Sequence, residues 1–257
     1  MSIKKFAFSF LVFSFFFGNS SSNAQDEQVE KRNNPTYVLV NLSYSFQTPK
    51  GDMSNRYGRN NSAGLGLDYL TSENWIFGTQ VDYLFGTMVK EDVLASLRNQ
   101  NGDLIGNNRS IANIRLTERG WNANVLFGKL IPFKKEKRLF GIRATVGVGI
   151  LQHKIRIQQD PASLVPQTTG DYRTGYDRMS NGFAFTEFIG IQKISSNRTI
   201  NFILGVELVQ GFTKSRREWD YDKMTKDQNN YIDLLIGGKL TWTIPFEIGA
   251  EGEDLFY

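Results

Sequence analysis

Residues 231–246 carry the pattern that most restricts the fold. From Ile232 every second residue is apolar or glycine: Ile232, Leu234, Ile236, Gly238, Leu240, Trp242, Ile244 and Phe246. The alternate set, Asp233, Leu235, Gly237, Lys239, Thr241, Thr243 and Pro245, is mixed and holds two ions. A period of two belongs to a strand whose faces meet different surroundings. A strand that crosses a bilayer needs about 9–11 residues, tilted near 45°, with one face to lipid and one to a polar lumen. The stretch is long enough, and predicts the closing strand of a membrane barrel.

Seven further alternating segments precede it, at about 36–46, 62–70, 75–86, 117–131, 139–157, 182–194 and 199–212. The connections between them alternate in length. Residues 47–61, 87–116, 158–181 and 213–230 are long, whereas 71–74, 132–138 and 195–198 are short. An even strand count with long loops at one end and short turns at the other is the pattern of bacterial outer-membrane barrels. The expected fold is therefore all-β, an eight-stranded antiparallel up-and-down transmembrane β-barrel spanning 36–246, with both termini periplasmic. The interfacial aromatics expected are Tyr69, Trp75, Trp242 and Phe246 at the periplasmic rim, with Trp121 toward the outer one.

Composition narrows the chemistry. There is no run of about 20 apolar residues within the chain, and the mean hydropathy is −0.35, as a strand-built membrane protein allows. The absence of cysteine removes disulfides, thiolate metal sites and cysteine nucleophiles. One histidine, His153, excludes a histidine-rich metal site, and no cofactor or metal is expected. A net charge of +4, of which two come from Lys4 and Lys5, is too small and mixed for nucleic acid.

Residues 1–24 have the form of a secretory signal peptide: Lys4 and Lys5, an apolar core from Phe6 to Phe17, and Ser22, Asn23 and Ala24 before Gln25. Residues 25–35 (QDEQVEKRNNP) read as a periplasmic linker and 247–257 as an acidic periplasmic tail.

Inward-facing positions collect Asp68, Asp82, Arg143, Glu187, Glu207, Asp233 and Lys239. Eight strands enclose a lumen that side chains can fill, so these are expected to form a paired polar plug. Glu187 conflicts with its own strand: strict alternation puts it on the lipid face with Phe183 and Phe185. The cost of a carboxylate there favours turning it inward, or a bulge. His153 is the only candidate catalytic base, at a strand end where a polar surface role is the plainer reading. Within 87–116, Val89, Val93, Leu94 and Leu97 fall at helical spacing, predicting a short amphipathic helix that caps the mouth or docks a partner. Arg216 and Arg217 are candidates for lipopolysaccharide phosphates. In the tail, Leu255, Phe256 and Tyr257 form an aromatic tip suited to a periplasmic partner.

With these residues in place, the chain resembles the small OmpA/OmpX-like porin-family barrels, especially those of Bacteroidota. The resemblance rests on the leader ending at Ala24, the strand and loop alternation, and the final strand Gly237 to Phe246 (GGKLTWTIPF). It implies insertion by the barrel-assembly machinery and contact with outer-membrane lipid and lipopolysaccharide. A tail after Phe246 departs from the usual family ending and leaves that segment free for a separate role. The expected function is a non-enzymatic accessory or scaffold subunit of a larger outer-membrane complex, for barrel assembly or protein secretion. A stand-alone structural or adhesin-like barrel is the alternative, and a lipid-modifying enzyme using His153 a third reading.

Overall fold

The computed structural model describes residues 35–134, 138–195 and 201–248. The expected leader, most of the linker and tail, and with them Leu255, Phe256 and Tyr257, lie outside the described residues. Eight strands follow one another: β1 (Thr36–Gly51), β2 (Asn60–Leu70), β3 (Trp75–Gly86), β4 (Ile114–Pro132), β5 (Phe140–Gln159), β6 (Ser180–Lys193), β7 (Phe202–Ser215) and β8 (Asn230–Ile248). Each pairs antiparallel with its neighbour in sequence, and β8 pairs back onto β1, so the sheet is a closed barrel. Closure leaves no strand edge, the condition for placing a sheet in lipid.

The register fixes the barrel's shape. The row of paired residues Val38, Tyr69, Phe77, Phe127, Val146, Glu187, Leu208 and Ile236 returns to β1 at Thr48, ten positions above its start. For eight strands that stagger corresponds to a tilt of about 40°. The lumen is then just wide enough for side chains, and glycine decides where large ones lie. A Cβ on Gly64 would stand 2.0 Å from Asp82 Oδ1, and one on Gly78 would stand 2.1 Å from Asp68 Oδ1. Bare backbone at these two positions leaves room for the carboxylates across them.

Outward positions form an apolar belt. Phe46, Leu65, Phe77, Val125, Ile150, Phe185, Ile189, Leu204, Leu240 and Trp242 are all exposed, and they come from every strand. Such a surface is unstable in water and is solvated by acyl chains. Tyr69, Trp242 and Phe246 are exposed toward the short-turn end; Trp75 opens β3 there, stacked on Phe127 at 5.2 Å with Lys129 Nζ 4.5 Å above its ring. Trp121 pairs with Tyr83 toward the opposite rim.

Three expectations are corrected. Glu187 does not turn inward, and no bulge intervenes: it pairs in unbroken register with Val146 and Leu208, on the lipid-facing side with Phe183, Phe185, Ile189 and Ile191. A one-residue slip would bury those four large side chains in the lumen and bring Ala184, Thr186, Phe188 and Gln192 out. One carboxylate, less costly at mid-bilayer than the ~2–4 kcal/mol of a lysine or arginine, cannot outweigh that. Second, the connection expected over 47–61 is mostly strand, because β1 and β2 continue past the belt and leave only 52–59, with helix α1 (Met53–Arg56), between them. Third, the amphipathic helix of 87–116 shrinks to one 3₁₀ turn at Ala95–Leu97.

A candidate functional site: the sealed lumen and its cap

The interior is built in layers. At the short-turn end Leu39, Leu70, Ile76, Leu130 and Ile194 make an apolar floor, with Tyr37 and Leu139 against it. Arg138 ties this end together: Nε donates to Asn74 Oδ1 at 2.7 Å, Nη1 to the Pro35 carbonyl at 2.6 Å, and Nη2 to the Thr71 carbonyl. One guanidinium thus joins the first two short turns to the start of β1.

Above the floor are two ion clusters. Arg143 Nη2 lies 2.7 Å from Asp68 Oδ2, and its Nη1 donates to Gln192 at 3.2 Å. Asn41 donates to the same Asp68 oxygen at 2.5 Å and accepts from Thr243 at 2.8 Å, closing the cluster across β8, β1, β2, β5 and β6. One level higher, Lys239 Nζ lies 2.6 Å from Glu207 Oε1 and 3.5 Å from Asp82 Oδ1. Asp82 also accepts from Ser43 at 3.2 Å and from Gln80. The void among these groups is about 20 Å³, room for about one water molecule. Side chains from opposite strands fill the lumen at this level.

His153 sits higher still, and its surroundings differ from a strand-end surface residue. It is 1% exposed. Its Nε2 is 2.9 Å from Asp233 Oδ2, which also accepts from the Thr213 hydroxyl at 2.6 Å; its Nδ1 is 3.5 Å from the Tyr57 hydroxyl. Tyr57 is fully buried, and desolvation, reinforced by Glu118, raises its phenol pKa well above the ordinary value, so it remains a neutral hydroxyl. Leu84, Leu151, Val209 and Leu235 form the same apolar core as Tyr57. The imidazole is thus screened from bulk solvent and from the lipid outside the barrel. His153→Ala is expected to leave lipid A and phospholipid profiles unchanged while lowering unfolding stability by about 1–3 kcal/mol, because Asp233 loses a buried hydrogen-bond partner. Lipid extracts and urea titration in detergent check the two halves of this prediction.

The long-loop end is closed by a folded cap. Met53, Val93, Leu94, Leu104, Val165 and Tyr176 bury completely or nearly so and continue the core formed by Ile155 and Ile157. Val93 and Leu94 have no exposed surface and Leu97 packs against the cluster, so these expected partner contacts serve the cap. Backbone bonds knit the loops: Gly58 N–H to Met88 at 2.7 Å, Asn107 N–H to Leu164 at 2.8 Å and Tyr221 N–H to Gly175 at 3.0 Å. Sequence reading missed the hub, Arg178, whose left-handed backbone (φ 51°) aims a buried guanidinium at three carboxylates. Its distances are 3.0 Å to Glu91 and 3.1 Å to Asp220, and it also bonds Asp222. Arg56 adds Glu91 at 3.5 Å, Asp227 at 3.6 Å and the Tyr231 ring at 4.4 Å. Arg217 is paired with Asp177, and Arg216 donates to Asn181.

The cap has an acid limit. Burial pushes Glu91 up, but the hydrogen bond and charge of Arg178, with Lys223 and Arg56, outweigh it and hold the carboxyl below its ordinary value. Asp227 is likewise lowered: burial opposes the shift, and bonds from Tyr231 and Asn229 with the Arg56 charge prevail. Asp220 is raised, by burial first and by Asp227 and Asp222, against Arg178. A lowered carboxyl adds stability that is present above its unfolded pKa and is lost as pH falls through the folded one. Asp220 works in the opposite sense, leaving Glu91 and Asp227 to set the sign. Acidification below about pH 4 should therefore raise amide exchange in 87–113 and 216–229 before the strand amides respond.

No protein-family model matches the chain, and no curated protein matches it. Among solved structures, it is similar to Ail, the attachment invasion locus protein of Yersinia pestis, at 8% identity over 82% of this chain and 99% of that one, with a TM-score of 0.37. Neisserial surface protein A is similar at 8% identity over 80% and 95%, TM-score 0.36. The N-terminal β-barrel domain of Pseudomonas aeruginosa OprF gives 9% over 81% and 97%, TM-score 0.33.

Proposed function

We propose that this chain is a non-enzymatic outer-membrane barrel of a Gram-negative bacterium, acting as an accessory or scaffold subunit of a larger complex for barrel assembly or protein secretion. The observation that carries this is the closure of the interior. An apolar floor, two ion clusters and a folded cap occupy the axis from one end to the other, and the one histidine is inaccessible. A barrel that neither conducts nor catalyses has only outward surfaces with which to work. In this reading the leader directs export, the barrel-assembly machinery inserts the strands, the termini are periplasmic, and the tail with Leu255, Phe256 and Tyr257 is open to a periplasmic partner.

Extraction of the full chain in mild detergent through a C-terminal tag should yield stoichiometric outer-membrane or periplasmic partners. A clean monomer would overturn the accessory reading. The adhesin-like alternative has its own support, a patch on the cap where Tyr172, Trp219, Tyr221 and Met224 are exposed and the rings of Tyr172 and Tyr221 lie 6.3 Å apart. A monomer whose Trp219→Ala and Tyr172→Ala variants lose surface attachment would favour that alternative.

A further inference from the structure

We infer that the outward face of β4, β5 and β7 at the long-loop end is a binding site for the phosphorylated sugar headgroup of an outer-leaflet glycolipid. The inference rests on the outer-membrane reading with the long loops external, and gives lipid contact a defined place on the barrel.

Five cations meet there: Arg119 on β4, Lys154 and Arg156 on β5, Lys214 on β7 and Arg216 just beyond it. All share the parity of the lipid-facing Val125, Ile150 and Phe212, so their side chains start from the outer surface. Arg216 extends the ladder, its N–H bonding the Met179 carbonyl at 2.9 Å. Arg119 and Lys154 are direct cross-strand partners. Like charges in that position repel and destabilise a sheet, unless an anion joins them. The chain supplies none: among the described residues, no ion pair links any of the five to a carboxylate. Glu118 turns its carboxyl into the lumen, to Asn60 at 2.9 Å, and Asp177 is held by Arg217. Arg119 gives one bond to the Glu118 carbonyl at 2.6 Å, and Arg216 one side-chain bond to Asn181. Their other guanidinium donors, the Arg156 guanidinium and both ammonium groups have no acceptor among the described residues.

Height selects a lipid. Arg119, Lys154 and Lys214 lie one or two outward positions above Trp121, Ile150 and Phe212, the last large apolar side chains on the outer face of their strands. At the barrel's tilt the three stand within about 5 Å of one another in height, at the headgroup level of the leaflet. Arginine and lysine there are suited to phosphate oxygens. The patch spans three strand spacings, about 14 Å, which fits a headgroup rather than a lone ion. One paired row through it reads Trp121, Gln152, Asn181 and Lys214. Its amides offer hydrogen bonds to the hydroxyls that a sugar ring presents in number, and acyl chains would run down the apolar belt below.

The test uses the full chain purified in nonionic detergent, with lipid adducts counted by native mass spectrometry. Probes are phosphorylated lipid A, the same lipid dephosphorylated, phosphatidylglycerol and sodium phosphate. Phosphorylated lipid A should bind about tenfold more tightly than the other two lipids, and sodium phosphate should not displace it. Arg119→Gln with Lys154→Gln should weaken it about tenfold. Lys50→Gln, which removes an exposed cation on β1 across the barrel, should change binding less than about twofold. Without lipid the double variant should melt no lower than the parent, because a repulsion has gone; a merely structural role predicts the reverse. The gel shift between boiled and unboiled samples reports folding, and Lys154→Gln alone carries the test if the pair fails to fold. Equal binding of dephosphorylated lipid A or phosphatidylglycerol, displacement by phosphate, or an equal effect of Lys50→Gln would overturn the site. Topology is read apart from binding: in a chain without cysteine, Lys226→Cys should take a membrane-impermeant maleimide on intact cells. No labelling would overturn the external placement of the long loops, whatever the adducts show.

Discussion

Lys239→Met should destabilise the barrel by about 3–5 kcal/mol, among the largest effects of any single substitution in the lumen. Lys239 is 3% exposed, and its ammonium lies between Glu207 at 2.6 Å and Asp82 at 3.5 Å. Methionine keeps most of the volume and removes the only cation among the described residues in contact with either acid, leaving two buried carboxylates to face each other. Breaking a buried ion pair from one side costs far more than replacing the whole pair, because the remaining charge stays desolvated. Restoring balance should therefore restore stability. Lys239→Met combined with Glu207→Gln and Asp82→Asn should recover most of the loss, although three charges have gone. Urea titration in detergent followed by tryptophan fluorescence measures both variants. A loss below about 1 kcal/mol for the single change would mean that water enters the lumen freely, and the sealed interior would have to be abandoned.

Arg178→Met should open the cap while leaving the barrel closed. Burial alone would lower the guanidinium's affinity for its proton; bonds to Asp222 and Glu91 hold it above the ordinary value instead, which shows how firmly the acids are coupled to it. Without the cation, Asp220, Asp222 and Glu91 lose their common partner at the point where three loops meet. The expected loss is again about 3–5 kcal/mol, felt locally. Protease added to intact cells should nick 87–113 or 216–229 in the variant and spare the parent chain. The heat-dependent gel shift, which reports the strands, should be the same in both. Loss of that shift would mean that cap and barrel fold as one unit.

Strand number, strand order and the inside–outside parity of nearly every residue were legible in the sequence. The reason is environmental contrast: lipid on one face and a narrow polar lumen on the other impose a period of two that survives in the residues. The candidate lumen ions Asp68, Asp82, Arg143, Glu207, Asp233 and Lys239 could be placed inward on parity alone, and all six are buried. Glu187 shows what goes wrong when a local cost is set above the pattern. Its own alternation pointed to lipid, and four large apolar neighbours held the register against one carboxylate. In sequence His153 looks like a surface residue at a strand end, because only the paired strands bring Asp233, eighty positions away, and Tyr57 to its ring.

Amino-acid order by itself thus determined an eight-stranded membrane barrel with long loops at one end, because amphipathic alternation and turn length are local properties. Which acid meets which base was decided only by tertiary structure, since the ten-residue stagger sets the height at which each strand's side chains enter the lumen. The cap was decided there too. Val93 and Leu94 look like one face of a docking helix until loops distant in sequence fold over them, and Arg178 becomes a hub only where its three acids converge. Desolvation of groups brought together from far apart is a property of the packed barrel, and no sequence window contains it.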